Sequence, residues 1–331
     1  MGSALAALSA ALLIVLGAVA AAVPGAEAQT AVRSARVGYL TDSLPTSPNL
    51  EAFRRGLREL GWVEGRNLTI EFSTTEGAAQ RLPALAADLV VRHVDVIVAT
   101  ALAAEAAKAA TKAIPIVFVT GIDPVAARLV RSLARPEANV TGVTTLALEL
   151  EGKRLGLLKE AIPNLKRVAV LLNADRPTPD PILAAAEHSA RALGLSLQTV
   201  EVRQDANLEN TVAMITRSGA QAFTVAGAGA SVFFRSQARL AEVALKGRIP
   251  AVAPWRQFPE AGGLMSYGAS IPEMYRLAAK QVDRILKGAR PADVPVEQTS
   301  TFEMVVNVKT AKALGLTLPQ PFLLRADELI Q

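Results

Sequence analysis

The chain says much the same thing twice, and a repeat of this size constrains the fold more than any single motif does. From Arg36 it reads RVGYLTDS, AFRRGLRELGW, NLTIEF, VDVIVATA and IPIVFV; from Arg167 it reads RVAVLLNAD, AAAEHSARALGL, LQTVEV, AQAFTVAGAG and IPAVAP. Val37 answers to Val168, Gly61 to Gly194 and Pro115 to Pro250, at a nearly constant offset. A unit this long exceeds a solenoid repeat and matches a domain. Two similar lobes on one chain leave a cleft between them, where small ligands usually bind.

Each copy alternates short apolar runs with helix-period segments. In the first, Arg36 to Leu40 reads as a strand, and Phe53, Leu57 and Leu60 follow at helical spacing until Gly61 stops them. Leu68 to Phe72 is a second strand, Gln80 to Arg92 a helix, VDVIVAT a strand covered on both faces, Ala103 to Ala113 a helix and Ile116 to Val119 a strand. Strict alternation of this kind predicts an α/β fold of two doubly wound parallel-sheet lobes. After Pro254 the duplication ends. The surplus elements, GGLMSYGAS, a helix through Tyr275, Ala278, Val282 and Ile285, and a strand Phe302 to Asn307, suit a hinge of three crossovers. The expected lobes are 36–143 with 268–300, and 144–266 with 301–331.

The first 28 residues read as a secretion signal. An apolar stretch, Ala4 to Val23, is followed by Pro24 and Gly25 and then by Ala26-Glu27-Ala28, a small-residue cleavage pattern, so the mature chain would begin at Gln29. The competing reading is an uncleaved anchor, since the run is long enough to span a bilayer. With no cysteine, the chain has neither disulfides, thiolate metal sites nor a cysteine to acylate, and its two histidines, His93 and His188, are far apart. A formal charge of +5 without a basic block argues against a nucleic-acid partner. No metal or other cofactor is expected.

In open parallel sheets ligands lie beyond the carboxyl ends of the strands. That places Tyr39, Thr41, Thr100, Ala101, Thr120, Asp123, Asn173, Gly227 and Trp255 at the expected cleft, with Tyr267 in the return segment. Asp123 would suit an amine, with capping of a helix at Pro124 as its alternative role. Backbone amides beside Thr100 and Gly227 would suit a carboxylate, and Trp255 and Tyr267 would supply aromatic walls. Enzyme signatures are missing: there is no G-x-x-x-x-G-K-[ST], G-x-S-x-G or H-E-x-x-H, and GAGASV at Gly227 is only a fragment of a dinucleotide fingerprint.

Several long segments resemble the periplasmic substrate-binding components of ABC transporters of the tryptophan/tyrosine type. They are RGLRELGWVEGRNLTIEF from Arg55, RLPALAADLV from Arg81, DPVAARLVRSLARPEANVTGV from Asp123, EAGGLMSYGAS from Glu260, and nearly everything from Tyr275 to Ile330. The chain departs from the family at Thr100-Ala101-Leu102, where members carry Gly-x-Pro, at Glu137-Ala138, where they carry Gly-Gly, and at Asn173-Ala174, where many carry Asn-Pro. The resemblance implies a type I periplasmic-binding, Venus-flytrap fold and a non-enzymatic, monomeric protein of the periplasm. Such a protein closes on a small molecule, an amino acid or aromatic compound among the candidates, and delivers it to an inner-membrane permease and its ATPase. The rival readings are a sensor that docks a receptor after binding and a two-lobed glycosyltransferase-like enzyme.

Overall fold

The computed structural model describes residues 34–41, 48–75, 78–145, 148–174, 180–203, 207–226 and 231–331, and the expected leader lies outside them. The first copy of the repeat supplies five parallel strands: β1 (Ala35–Thr41), β2 (Leu68–Thr74), β3 (Val96–Thr100), β4 (Ile116–Thr120) and β5 (Val140–Thr144). With the two-residue β11 (Glu297–Gln298) they form a sheet of order β11-β5-β4-β3-β1-β2. Helix α1 (Pro48–Glu59) buries Leu50, Phe53 and Leu57, spaced three and four residues apart on one face. These side chains meet Tyr39 of β1 together with Tyr275 and Val282 of the later helix α10 (Ile271–Leu286). Phe53 and Leu57 are fully enclosed, and each contributes about 1.5–3 kcal/mol. The opposite face is roofed by α2 (Leu82–Val91) and α3 (Ala101–Ala110) over Ile97 and Phe118.

The second copy gives β6 (Arg167–Asn173), β7 (Ser196–Val202), β8 (Ala222–Val225) and β9 (Ala251–Ala253). β10 (Met265–Ala269), β12 (Phe302–Asn307) and β13 (Glu328–Ile330) extend them to seven strands in the order β13-β12-β10-β9-β8-β6-β7. The helices between them are α4 (Leu148–Ala161), α5 (Asp180–Ala192), α6 (Leu208–Arg217), α7 (Ser231–Arg235), α8 (Gln237–Lys246) and α9 (Gln257–Glu260), with α11 (Val308–Ala313) and α12 (Gln320–Leu323) after β12. One core packs Phe223, Phe233, Leu240 and Phe258; the other packs Leu155, Leu158, Met304 and Phe322. Asn207 and Asn307 cap α6 and α11 by accepting the amides of Asn210 and Thr310.

The chain passes from one sheet to the other between β5 and α4, between β10 and α10, and between β11 and β12. Backbone bonds tie these passages together: Thr299 N donates to Thr144 O and Ser270 N to Thr301 O, each at 3.0 Å. The two α/β parallel-sheet lobes are as expected, with one exception in the second sheet and one after β4. The sheets are not wholly parallel, because β12 runs antiparallel to β10; a strand arriving directly from the other lobe needs no helical crossover to reverse direction. No helix begins at Pro124 either. Residues 124–128 fold as turns, with Ala127 N on Asp123 O and Leu129 N on Pro124 O.

Candidate functional site

The five strands β1 to β5 of the first sheet all end in threonine: Thr41, Thr74, Thr100, Thr120 and Thr144. Thr41 pairs with Thr74 and Thr120 with Thr144 across the ladder, so the hydroxyl-bearing residues line one edge. Two of the hydroxyls brace the loop that follows β4. Thr120 Oγ1 accepts from Ile122 N at 3.1 Å, and Thr144 Oγ1 donates to Ile122 O at 2.9 Å. Neighbouring Thr145 is 6% exposed, and its hydroxyl has no partner among the described residues. Thr74, Thr144 and Thr145 escaped the sequence reading, although a threonine recurring after every apolar strand run was its available signal.

The expected site residues scatter. Tyr39 is not at an open edge: its ring is 3% exposed, stacked on Phe72 at 5.7 Å and on Tyr275 at 6.1 Å and packed against Phe53. Burial first, and the adjacent Tyr275 second, push its hydroxyl pKa well above the ordinary 10.0. Thr41, Thr120 and Asn173 are buried at strand ends. Thr100 precedes α3 in extended conformation and makes no side-chain cap bond, and Ala101 is the first residue of that helix. Asp123 is exposed, and Oδ1 accepts from Val125 N at 2.8 Å and Ala126 N at 3.2 Å, so the carboxylate caps a turn. Gly227 lies outside the described residues.

Trp255 and Tyr267 part company. The two faces of a strand alternate, so Tyr267 points to the α4 side while Gly268 faces the other way. Tyr267 stacks on Phe302 at 6.3 Å, and Lys153 Nζ lies 6.0 and 5.8 Å from the two ring centres. Its backbone oxygen accepts from Arg154 Nη1 at 2.9 Å. Trp255, edge-on to Phe234 at 5.4 Å, instead walls a small crevice open to solvent. That crevice is bounded by Pro254 to Gln257 after β9, Gly268 and Ala269 of β10, Ile271 and Pro272 of α10, and Glu303 of β12. It lies at the seam where α10 leaves for the first lobe. Gly268 is required there, since a Cβ would stand 2.0 Å from Pro254 O and displace the loop that carries Trp255.

Charge at the seam is organised by Arg256, which the sequence reading passed over. Nε, Nη1 and Nη2 of its guanidinium meet Glu260 at 2.9 Å, Glu303 at 3.2 Å and Glu328 at 2.6 Å. These bonds, with that to Glu260 foremost, push its pKa further up. One cation against three carboxylates leaves the cluster anionic. Among the described residues no group of three or more His, Cys, Asp or Glu is placed to hold a metal ion, and no helix is long and apolar enough to cross a membrane.

The sequence matches the family described as ABC transporter substrate binding protein over residues 46–330. It is 24% identical over 274 residues to a tyrosine-binding protein of Clostridioides difficile strain R20291, covering 81% of this chain and 78% of that protein. A solved structure of an ABC domain in complex with L-Trp from Streptococcus pneumonia is similar at 27% identity and a TM-score of 0.81, over 90% of this chain and 100% of that one. A conserved domain protein from Vibrio cholerae is similar at 27% identity and a TM-score of 0.80, with the same two coverages.

Proposed function

The chain belongs to the ABC transporter substrate-binding protein family, and from that premise we propose that it binds an aromatic amino acid between its lobes, without turnover, and delivers it to a permease. The observation that carries this reading is the crevice at the seam. It is walled by Trp255 from one lobe and by the start of α10, a helix packed on the other, so a molecule held there touches both. Contacts available only when the lobes come together bias the closed state, which a permease can then distinguish from the empty one. The named relatives, a tyrosine-binding protein and an L-Trp complex, support the choice of ligand class. Export across the inner membrane, with removal of residues 1–28, would place the protein where such delivery occurs.

Thermal melting with L-tyrosine and L-tryptophan tests the proposal. A ligand at a hundred times its Kd stabilises the native state by about 2.7 kcal/mol. For lobes of this size that is a rise of roughly 5–10 °C in Tm. No rise with either amino acid at millimolar concentration overturns the ligand class, and turnover of a sugar nucleotide would overturn the non-enzymatic reading.

A further inference from the structure

The crevice wall carries three polar groups that the protein leaves unused. Glu303 Oε2 accepts from Arg256 Nη1 at 3.2 Å, while its other carboxylate oxygen has no hydrogen-bond partner among the described residues. The indole N–H of Trp255 and the side-chain amide of Gln257 also have none. All three residues line the same space, and their chemistry is complementary to both ends of a zwitterion: one anionic acceptor and two neutral donors. Arg256 also bounds the crevice, but its three nitrogens each face a carboxylate, of Glu260, Glu303 and Glu328, so its single charge is outnumbered there. Asp123, the other candidate for an ammonium, is not among the residues that bound the crevice, and its Oδ1 accepts two backbone amides of its own turn.

We propose that Glu303, Gln257 and Trp255 form the seat for the head group of an α-amino acid, with Glu303 accepting the ammonium and the Trp255 indole and Gln257 amide donating to the carboxylate. This rests on the reading of the ligand as an amino acid and adds the residues that would make it one. An ammonium on a carboxylate already surrounded by surplus negative charge forms a charge-assisted bond, roughly twice as strong as a neutral one. The seat reads only the head group. Selection among side chains then falls to other parts of the cleft, so the seat would serve any α-amino acid that the rest of the cleft admits.

Calorimetric titration of the full mature chain separates the possibilities. L-tryptophan and L-tyrosine are compared with indole-3-propionate, which lacks the ammonium, and tryptamine, which lacks the carboxylate. Glu303→Gln is expected to weaken the amino acids and tryptamine at least tenfold and to leave indole-3-propionate unchanged. Trp255→Phe keeps a ring and removes the donor, and is expected to weaken the amino acids several-fold without affecting tryptamine. Glu328→Gln, which removes another partner of Arg256 outside the crevice, is the control for disturbance of that cluster and should bind as the parent does. Binding by Glu303→Gln within twofold of the parent overturns the seat and leaves the proposed function standing. If the parent ignores both aromatic amino acids but binds another α-amino acid in a Glu303-dependent way, the seat stands and the aromatic class falls; failure to bind any α-amino acid overturns both.

Discussion

The two lobes are built from the same repeat and fill their interiors differently. In the first, Tyr39, Phe53, Phe72 and Tyr275 make an aromatic cluster under α1 and α10, and the buried carboxylate of Asp283 is met by the Trp62 indole and by Lys287, which reaches solvent. In the second, Arg154 and Glu151 of α4 form an ion pair with both side chains enclosed, 2% and 1% exposed. The cause is local. β9 is three residues long and pairs with β10 only at Met265 and Ser266, so the backbone oxygen of Tyr267 runs past the end of its neighbour. The Arg154 guanidinium takes that oxygen at 2.9 Å, and Glu151 neutralises the guanidinium. A duplicated pattern thus repeats the layers, whereas the strand that leaves for the hinge decides where charge must be buried.

The largest expected effect tests that account. Arg154→Met should cost about 3–5 kcal/mol, because it leaves the enclosed Glu151 charge without its counter-ion and the Tyr267 oxygen without its donor. Replacing both partners, as Glu151→Leu with Arg154→Met, should recover most of the loss. Urea midpoints for the two variants decide it, and equal losses would mean that the pair stabilises through something other than mutual neutralisation.

On the other side of the comparison, Tyr39→Phe should cost only about 1 kcal/mol, through its hydroxyl contact with Tyr275. It should also change the alkaline limb of the stability curve. The folded state keeps Tyr39 protonated above the pH at which the unfolded chain loses that proton, near 10. Unfolding therefore releases a proton there, and stability falls as pH rises past 10, by up to about 1.4 kcal/mol per pH unit for one group. A chemical denaturation series between pH 8 and 11 should show a shallower fall in the Phe variant than in the parent.

A similar-sized effect of opposite sign belongs to the loop before β5. Glu137 and Ala138 both hold left-handed backbone, with φ of 64° and 53°. Glu137→Gly and Ala138→Gly should each stabilise the first lobe by about 1 kcal/mol, since the relieved strain exceeds the entropy that glycine adds to the unfolded chain. A lower midpoint in either variant would show that the side chain contributes more than the strain costs. The smallest change is expected at Asp123→Ala, about 0.5–1 kcal/mol for the lost turn cap, with ligand binding unaltered. A selective loss of amino-acid affinity there would move the ammonium site from Glu303 to Asp123.

The strands and their order were legible because period and punctuation are local. Continuous runs such as VDVIVAT and IPIVFV read as covered strands without reference to anything distant. The Gly-Gly position occupied by Glu137-Ala138 was visible as a departure in sequence, and its meaning, two consecutive positive φ angles, is clear only from the backbone. The functional seam was harder to read. Trp255 was picked out by its place after β9, but Glu303 sits on a strand with no counterpart in the duplication, and only the antiparallel pairing Gly268 with Glu303 brings it to the same wall. Tyr39 misled for the opposite reason, because one residue of strand phase separates an exposed edge from the core. Nothing in composition marks Arg154 and Glu151 as buried, since the need for them arises from where β9 stops.

The late position of α10 sets a timetable for synthesis. When the ribosome has delivered β1 to β5, the aromatic face around Tyr39 has only α1 over it and its α10 side is still open, because Tyr275, Ala278 and Val282 arrive only after every parallel strand of the other sheet through β10 has been made. At ordinary elongation speeds of about 5–20 residues per second, that side stays bare for roughly 6–25 s. A nascent chain with so long an exposed apolar surface is a natural client for holdase chaperones, and a stalled translation product ending before Ile271 would be its most aggregation-prone form.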